Sequence, residues 1–434
     1  MNWLLRKLPG ADHGRVLANA SWLYADQAVR AVVVLVVFGL VARALGPENY
    51  GVLSYALAFP GLFLPLAVLG LDYVIVRDFV RHPTERDRIF GTALALKLGT
   101  ALGAFAVAAG SAWLFPVESA AQPLLVVTSL SLLFQPLLTV DFYFQSQVAA
   151  KFSVLARLGT CLAANSLRAW FALSGAPVAW FAWAFVVEAA LYATLLLVAW
   201  RATGVPWRWP GRDWDAGIAR RLLAAAWPLL LADAVMICYL KLDQLLLSHF
   251  AGPEALGRYA AAFRLAEAAG FFSLALINSY FPRIVQLHHE SPAAFRENFD
   301  RFFVRMTWFA IAVAVGVSVA SPLITRWVLG ARFGDVWPVL VALTWANVFV
   351  VQIAVRGKWF LAEGMQLHSL ACFVAGAAVH LALLPWVAPQ WGALGTAVSF
   401  GVAHVVMTLV APALFRRSRP AAVLALRSLW PLKN

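Results

Sequence analysis

Twelve stretches of about twenty mostly apolar residues, following one another along the chain, decide most of what it can become. They run over Ala18–Ala42, Tyr50–Val76, Ile89–Phe115, Gln122–Phe144, Phe152–Leu173, Val178–Trp200, Leu222–His249, Gly257–Phe281, Phe302–Trp327, Pro338–Leu361, Leu367–Trp386 and Trp391–Phe415. A helix needs about 20 apolar residues to cross a hydrocarbon core roughly 30 Å thick. It must also be a helix, because no water is present there to satisfy the backbone N–H and C=O groups. The series therefore predicts an all-α polytopic membrane protein with twelve transmembrane helices. Composition agrees: 13% of the residues are charged, against about 25% in a soluble domain. Nineteen tryptophans suit many helix ends at membrane interfaces. Prolines 60, 65, 136, 228 and 282 fall inside or at the ends of spans and are expected to kink them. Cys161, Cys238 and Cys372 sit in apolar runs with neither pairing nor metal spacing, so they read as small core residues. Met1–Lys7 reads as a short amphipathic lead-in without a cleavage site, so no cleavable signal peptide is expected.

The net charge of +13 raises nucleic acid as a partner, but its placement argues against that. The basic residues cluster in short loops on one side of the spans. Arg6, Lys7 and Arg15, four arginines at 77–88, Lys151, five at 201–221, three at 283–301 and five basic residues in the tail give 21. The other side carries four: Arg43, Arg258, Arg326 and Arg332. The positive-inside rule then puts both termini in the cytoplasm. The longest loop, between the sixth and seventh spans, is about 20 residues, too short to fold alone. No Gly-x-x-x-x-Gly-Lys phosphate loop is present; Arg356-Gly357-Lys358 lacks the rest of that pattern. Neither a nucleotide-binding domain nor a soluble transferase domain has room, and no cofactor is expected.

An internal repeat divides the chain. Gly46-Pro47-Glu48-Asn49-Tyr50-Gly51 follows the first span, and Gly252-Pro253-Glu254-Ala255-Leu256-Gly257 follows the seventh, 206 residues later. Duplication predicts two pseudo-symmetric six-helix bundles, residues 1–210 and 211–415, around a central cavity, which is a transporter plan. Residues 416–434 read as a cytoplasmic tail, with Ala421–Trp430 an amphipathic helix lying on the inner leaflet. Trp207-Arg208-Trp209 reads as an interfacial anchor.

Several segments carry a resemblance. Trp22-Leu23, Asp26-Gln27, Arg30, Arg43–Gly51 and Leu69-Gly70-Leu71 look like the opening of the polysaccharide-biosynthesis flippases. These are the Wzx-type members of the multidrug/oligosaccharidyl-lipid/polysaccharide exporter superfamily. Lys241–Gln244, Gly257–Ala260, Arg264–Glu267 and Phe281-Pro282-Arg283 resemble that family's seventh and eighth helices. Trp391–Ala397 resembles the start of its twelfth. The resemblance covers most of residues 18–415. It implies two six-helix lobes, alternating access, and an undecaprenyl-diphosphate-linked glycan as substrate. It also implies partners among the membrane lipids and the polysaccharide polymerase machinery.

Charges inside the spans mark the candidate site, because an ionisable group at membrane depth costs about 2.5–3.5 kcal/mol on insertion scales and usually faces a cavity or a partner. The cations are Arg30, Lys97, Arg157, Arg168, Lys241, Arg264, Arg356 and Lys358. Asp26, Asp243, Glu267 and Glu188 are the acids set against them, as charge partners or ion-coupling groups. Arg157 and Arg168, about three turns apart, share a face. Eight cations against four acids predict a basic cavity that holds a diphosphate, a task for which the arginine fork is suited. The bland alternative is local pairing, Asp26 with Arg30 and Arg264 with Glu267, plus snorkelling of residues near helix ends. Asp72, near the inner end of its span, reads as solvated, and His380 and His404 as packed or lipid-facing. Three other functions compete. A sugar polymerase or ligase needs a sizeable catalytic outer loop, a drug or cation exporter an acidic aromatic cavity, and a scaffold no buried charges at all.

Overall fold

The computed structural model describes the backbone over residues 13–114, 121–147, 149–203, 214–290 and 292–430, and side chains within these ranges except at 13–29, 150, 281–294, 296, 297 and 362. The side chain of Asp26 and the Trp207–Trp209 segment lie outside the described residues. The described secondary structure is helical, with no strand. Eleven elements follow in order: α1 (His13–Val68), α2 (Leu71–Arg81), α3 (Arg86–Ser111), α4 (Gln122–Ser146), α5 (Ala150–Leu173), α6 (Val178–Ala202), α7 (Ala216–Glu290), α8 (Pro292–Ile324), α9 (Trp337–Ala362), α10 (Gln366–Leu414) and α11 (Arg419–Arg427).

Eight helical runs among the described residues are long and apolar enough to cross a membrane. Within the most apolar stretch of each run, 17–50% of the residues are buried inside the protein. The remainder, with Val32, Val36, Leu102, Val319 and Leu323 exposed, is apolar surface that lipid covers. Three of the runs span 52, 65 and 49 residues, over twice what a crossing needs. Each of these breaks at a glycine: Gly46 (φ 72°, ψ 175°), Gly252 (φ 83°, ψ 171°) and Gly392 (φ 50°, ψ −128°). Side chains disfavour such positive φ values, and glycine does not. Beside these eight runs stands α5, a 24-residue helix that carries Lys151, Arg157 and Arg168.

The prolines do not supply these breaks. Backbone angles stay helical at Pro60, Pro65, Pro228 and Pro282. Pro136 acts differently: residues Leu130–Leu138 tighten into a 3-10 helix around it, since proline removes one i→i−4 bond and its ring crowds the preceding turn.

The two repeated turns share their geometry. Gly46 and Gly252 have nearly the same φ and ψ, and Pro47 and Pro253 then start the next limb, where a missing N–H costs nothing. The turns also interlock. A Cβ built on Gly51 would lie 1.8 Å from the Pro253 carbonyl oxygen, and one built on Gly257 would lie 1.8 Å from that of Pro47. Only a Cα hydrogen fits on either side of this clasp.

The chain packs as two compact units. The first joins the described part of Met1–Ala44 to Ala56–Lys241; the second joins Leu45–Tyr55 to Leu242–Asn434. Packing thus divides the chain within α7, and the turn Leu45–Tyr55 of α1 belongs with the second unit. The first unit's core gathers Leu71, Ile75 and Phe79 of α2, Phe90 and Leu94 of α3, Phe144 of α4 and Trp200 of α6. Phe90 and Trp200 stack with centroids 4.9 Å apart, so this tryptophan is core, whereas Trp113, Trp327, Trp386 and Trp430 are exposed at helix ends. Asp215 caps α7: its Oδ1 accepts the Ile218 N–H at 3.0 Å and its carboxylate pairs with Arg88. Those contacts, the backbone bond first, hold its carboxyl below the usual carboxylate range.

The second unit's core gathers Ile277, Phe299, Phe303, Val351 and Val355. α11 joins that core through Ala425, and Ala421 packs with Phe360 and Met365. Ser428 Oγ accepts from Gln352 Nε2 at 3.0 Å and lies 3.3 Å from Thr307 Oγ1. The amphipathic tail therefore lays its small-residue face on helices of its own unit.

Candidate functional site

The first unit brings three of the sequence-designated groups together. Arg168 on α5 pairs with Glu188 on α6. Glu188 sits ten residues into a 25-residue helix, at mid-span. Cys161, two turns before Arg168, lies within electrostatic reach of Arg30, Glu188 and Arg168. Arg30 is half-buried. Three helices thus bring Arg30, Arg168 and Glu188 into the neighbourhood of Cys161. That arrangement suits an anionic group which replaces or shares the glutamate, because each fork presents several donors in one plane.

The other first-unit cations are differently placed. Lys97 is 1% exposed; its Nζ donates to Asp72 Oδ1 at 2.5 Å and lies 4.8 Å from the centroid of the Phe142 ring. Asp72 is thus an ion-pair partner, correcting its reading as merely solvated. Asp233 on α7 lies within electrostatic reach of Asp72. Arg157 Nη2 donates at 3.2 Å to Asp141 Oδ2, which also accepts from Tyr192 OH at 3.1 Å and Gln145 Nε2 at 3.3 Å. Arg157 and Arg168 therefore engage different acids. Lys241 is half-buried, with its aliphatic stem over Gly61: a Cβ there would lie 3.2 Å from Lys241 Cγ.

In the second unit Arg264 and Glu267 form an exposed pair at 3.3 Å, a geometry worth little by itself. Arg356 is 3% exposed. Its Nη1 donates to the Met407 carbonyl at 2.6 Å, and its guanidinium lies 5.1 Å from the Phe360 ring centroid. Met407 lies in a π-helical segment, Val406–Val410, where the regular i→i−4 pattern is interrupted. These contacts tie Arg356 to helix packing. Lys358 is half-buried. Asp243 is buried, and its Oδ2 accepts the Tyr259 hydroxyl.

Asp141 and Asp233 are acids that the sequence reading passed over. Both stand inside designated spans, Gln122–Phe144 and Leu222–His249, so an isolated charge in an apolar run was the available signal. With Asp72 they raise the acids inside the designated spans from four to seven, against eleven cations once Arg258, Arg305 and Arg326 are counted with the eight. No group of three or more histidine, cysteine or acidic side chains able to hold a metal ion occurs among the described residues.

Residues 40–338 match the family described as polysaccharide biosynthesis protein. The chain belongs to that family. Beyond this match, a Shigella dysenteriae protein assigned as an O-antigen transporter is 23% identical over 188 residues, 43% of this chain and 47% of that relative's length. Several solved structures share the fold. Lipid II flippase MurJ, in an inward closed conformation, gives a TM-score of 0.74 at 13% identity, covering 94% of this chain and 90% of that one. An inward-facing multidrug-resistance MATE transporter of the MOP superfamily gives 0.69 at 15%, covering 92% and 96%. A MOP-superfamily transporter from Pyrococcus furiosus, described as having a binding pocket of reverse polarity, gives 0.60 at 13%, covering 96% of both chains. At these identities the structures establish the fold alone for this family member: all-α and multi-pass.

Proposed function

We propose that this member of the polysaccharide biosynthesis family is a flippase that carries an undecaprenyl-diphosphate-linked oligosaccharide repeat unit from the cytoplasmic to the periplasmic leaflet of an inner membrane. It works by alternating access, with twelve helices and both termini in the cytoplasm, and without enzymatic chemistry. The observation that carries the reading is the half-buried Arg30–Arg168–Glu188 group. Two guanidinium groups in the neighbourhood of one carboxylate offer planar forks that suit a phosphate, and a diphosphate is the anion of the proposed substrate. Family membership and the O-antigen relative support the glycan; the flippase and exporter folds support the transport. The remaining cations, Lys97, Arg157, Lys241, Arg264, Arg356 and Lys358, act as packing or secondary contacts along the path.

Glycan export in cells carrying Arg30 variants tests this. Arg30→Ala removes a charge-assisted contact worth about 1.5–3 kcal/mol, about tenfold or more in affinity, and export falls accordingly with the protein still inserted. Arg30→Lys keeps the charge, loses the fork, and keeps part of the export. A double neutral variant, Asp26→Asn with Arg30→Gln, stays inactive. Its recovery would reduce Arg30 to a structural partner of Asp26. Reporter fusions after residues 45, 118 and 252 should read outside, and those after 85, 210 and 290 inside; inversion at two or more sites would overturn the orientation.

A further inference from the structure

A buried polar group in the second unit is not used by the substrate path. Asp243, on the first limb of α7, accepts the Tyr259 hydroxyl on Oδ2 at 2.8 Å and the Gln244 N–H on Oδ1 at 2.7 Å. His380, on the first limb of α10, places Nε2 4.0 Å from Asp243 Oδ2 and Nδ1 2.9 Å from Ser399 Oγ on the second limb. His404, also on that limb, has Nδ1 2.8 Å from the Phe400 carbonyl. The Phe400 ring lies between the two imidazoles, with centroids 6.0 Å from His380 and 4.2 Å from His404. Asp243 is 3% exposed, and Tyr259 and His380 are 0%. The titratable groups facing the site include Asp243 and Tyr259 from the two limbs of α7, and His380 and His404 from the two limbs of α10.

Depth follows from helix rise. Asp243 lies about 14 Å along its limb from Gly252, His380 about 18 Å and Ser399 about 10 Å from Gly392. All three positions fall within a hydrocarbon core roughly 30 Å thick. A carboxylate at such depth is stabilised by neutralisation. One proton held between carboxylate and imidazole brings the pair to zero net charge, as Asp⁻ with HisH⁺ or as AspH with His. Its departure leaves −1. A protonated imidazole also turns the 4.0 Å separation into a charge-assisted bond once the side chains close by about 1 Å. A hard cation is served less well. It takes several oxygen ligands, and this cluster offers one carboxylate, a phenol and a hydroxyl beside two imidazoles.

We propose that Asp243 and His380 form a proton-binding site whose loading and unloading couple to movement of the substrate. The inference rests on the transport reading above. In the coupled cycle the pair takes one proton from water on one side of the membrane and returns it to water on the other.

Two measurements test it. The first counts protons taken up by the purified full-length protein on acidification through the histidine range, read with a pH indicator. Wild type takes up one proton more than His380→Gln and one more than Asp243→Asn. The second result matters most, because the imidazole is intact in Asp243→Asn and a histidine acting alone would still titrate. Equal uptake by the three proteins overturns the site. The second measurement follows a fluorescent undecaprenyl-diphosphate-linked sugar between leaflets of vesicles. A proton gradient accelerates wild type, while His380→Gln keeps its gradient-free exchange and loses the acceleration. Wild-type acceleration by a sodium gradient alone overturns the proposal and leaves the transport reading standing. Absence of any exchange removes the transport reading and the coupling with it, and the proton count still decides whether the pair binds a proton.

Discussion

The clasp between the repeated turns makes the sharpest structural forecast. Gly257→Ala places a methyl 1.8 Å from the Pro47 carbonyl oxygen, 2.8 Å from the Pro47 carbonyl carbon and 2.9 Å from the Gly51 nitrogen. An ordinary C···O approach is about 3.3 Å or more, so roughly 1.5 Å of overlap must be relieved. The atoms in the way are backbone on both turns, and no flexible side chain can swing aside. Overpacking of this kind costs about 1–3 kcal/mol. Losing the close Cα–H···O approaches adds about 0.5–1 kcal/mol each, for a total of about 2–5 kcal/mol. Gly51→Ala meets Pro253 in the same way and should cost the same within experimental scatter. The two changes disrupt one shared contact, so the double variant should cost less than the two singles added together. Thermal unfolding of the detergent-purified variants measures all three. A neutral single variant, a strong asymmetry between the two, or strict additivity would refute the reciprocal clasp.

Arg356→Met removes the donor from the Met407 carbonyl inside a π-helical segment and should destabilise by about 1–3 kcal/mol. Transport per folded molecule should be kept; a selective loss of transport at unchanged stability would return Arg356 to the substrate path. Ser428→Ala breaks the polar link from α11 to Gln352 and Thr307. It should cost about 1 kcal/mol and increase protease nicking of the tail, and an unchanged digestion pattern would contradict the docked tail.

The membrane-spanning character was legible because lipid imposes a simple rule of length and apolarity, and the eight runs obey it. The Gly-Pro-Glu repeat was legible too, and its two glycines adopt the same backbone angles. Two features were less readable. Prolines were expected to kink the helices; the breaks fall at Gly46, Gly252 and Gly392, where the decisive property is positive φ, which composition does not display. Pairing between spans was the other. Lys97 with Asp72, Arg157 with Asp141 and Arg168 with Glu188 join helices whose mutual rotation no single-helix periodicity sets. Within one helix, Arg264 and Glu267 could be paired from their spacing, and the structure pairs them. His380 illustrates the same limit: one histidine in an apolar run reads as packing until Asp243 is seen 4.0 Å away.

The central claim is that a lipid diphosphate crosses the membrane on this protein, and leaflet exchange in vesicles tests it most directly. Purified protein is reconstituted with two labelled lipids of the same undecaprenyl chain and the same glycan, one joined through a diphosphate and the other through an uncharged ether. The account expects rapid exchange of the diphosphate form, little exchange of the neutral form, and loss of the difference in Arg30→Ala. Equal exchange of both lipids, or export of an organic cation with neither lipid moved, would contradict it.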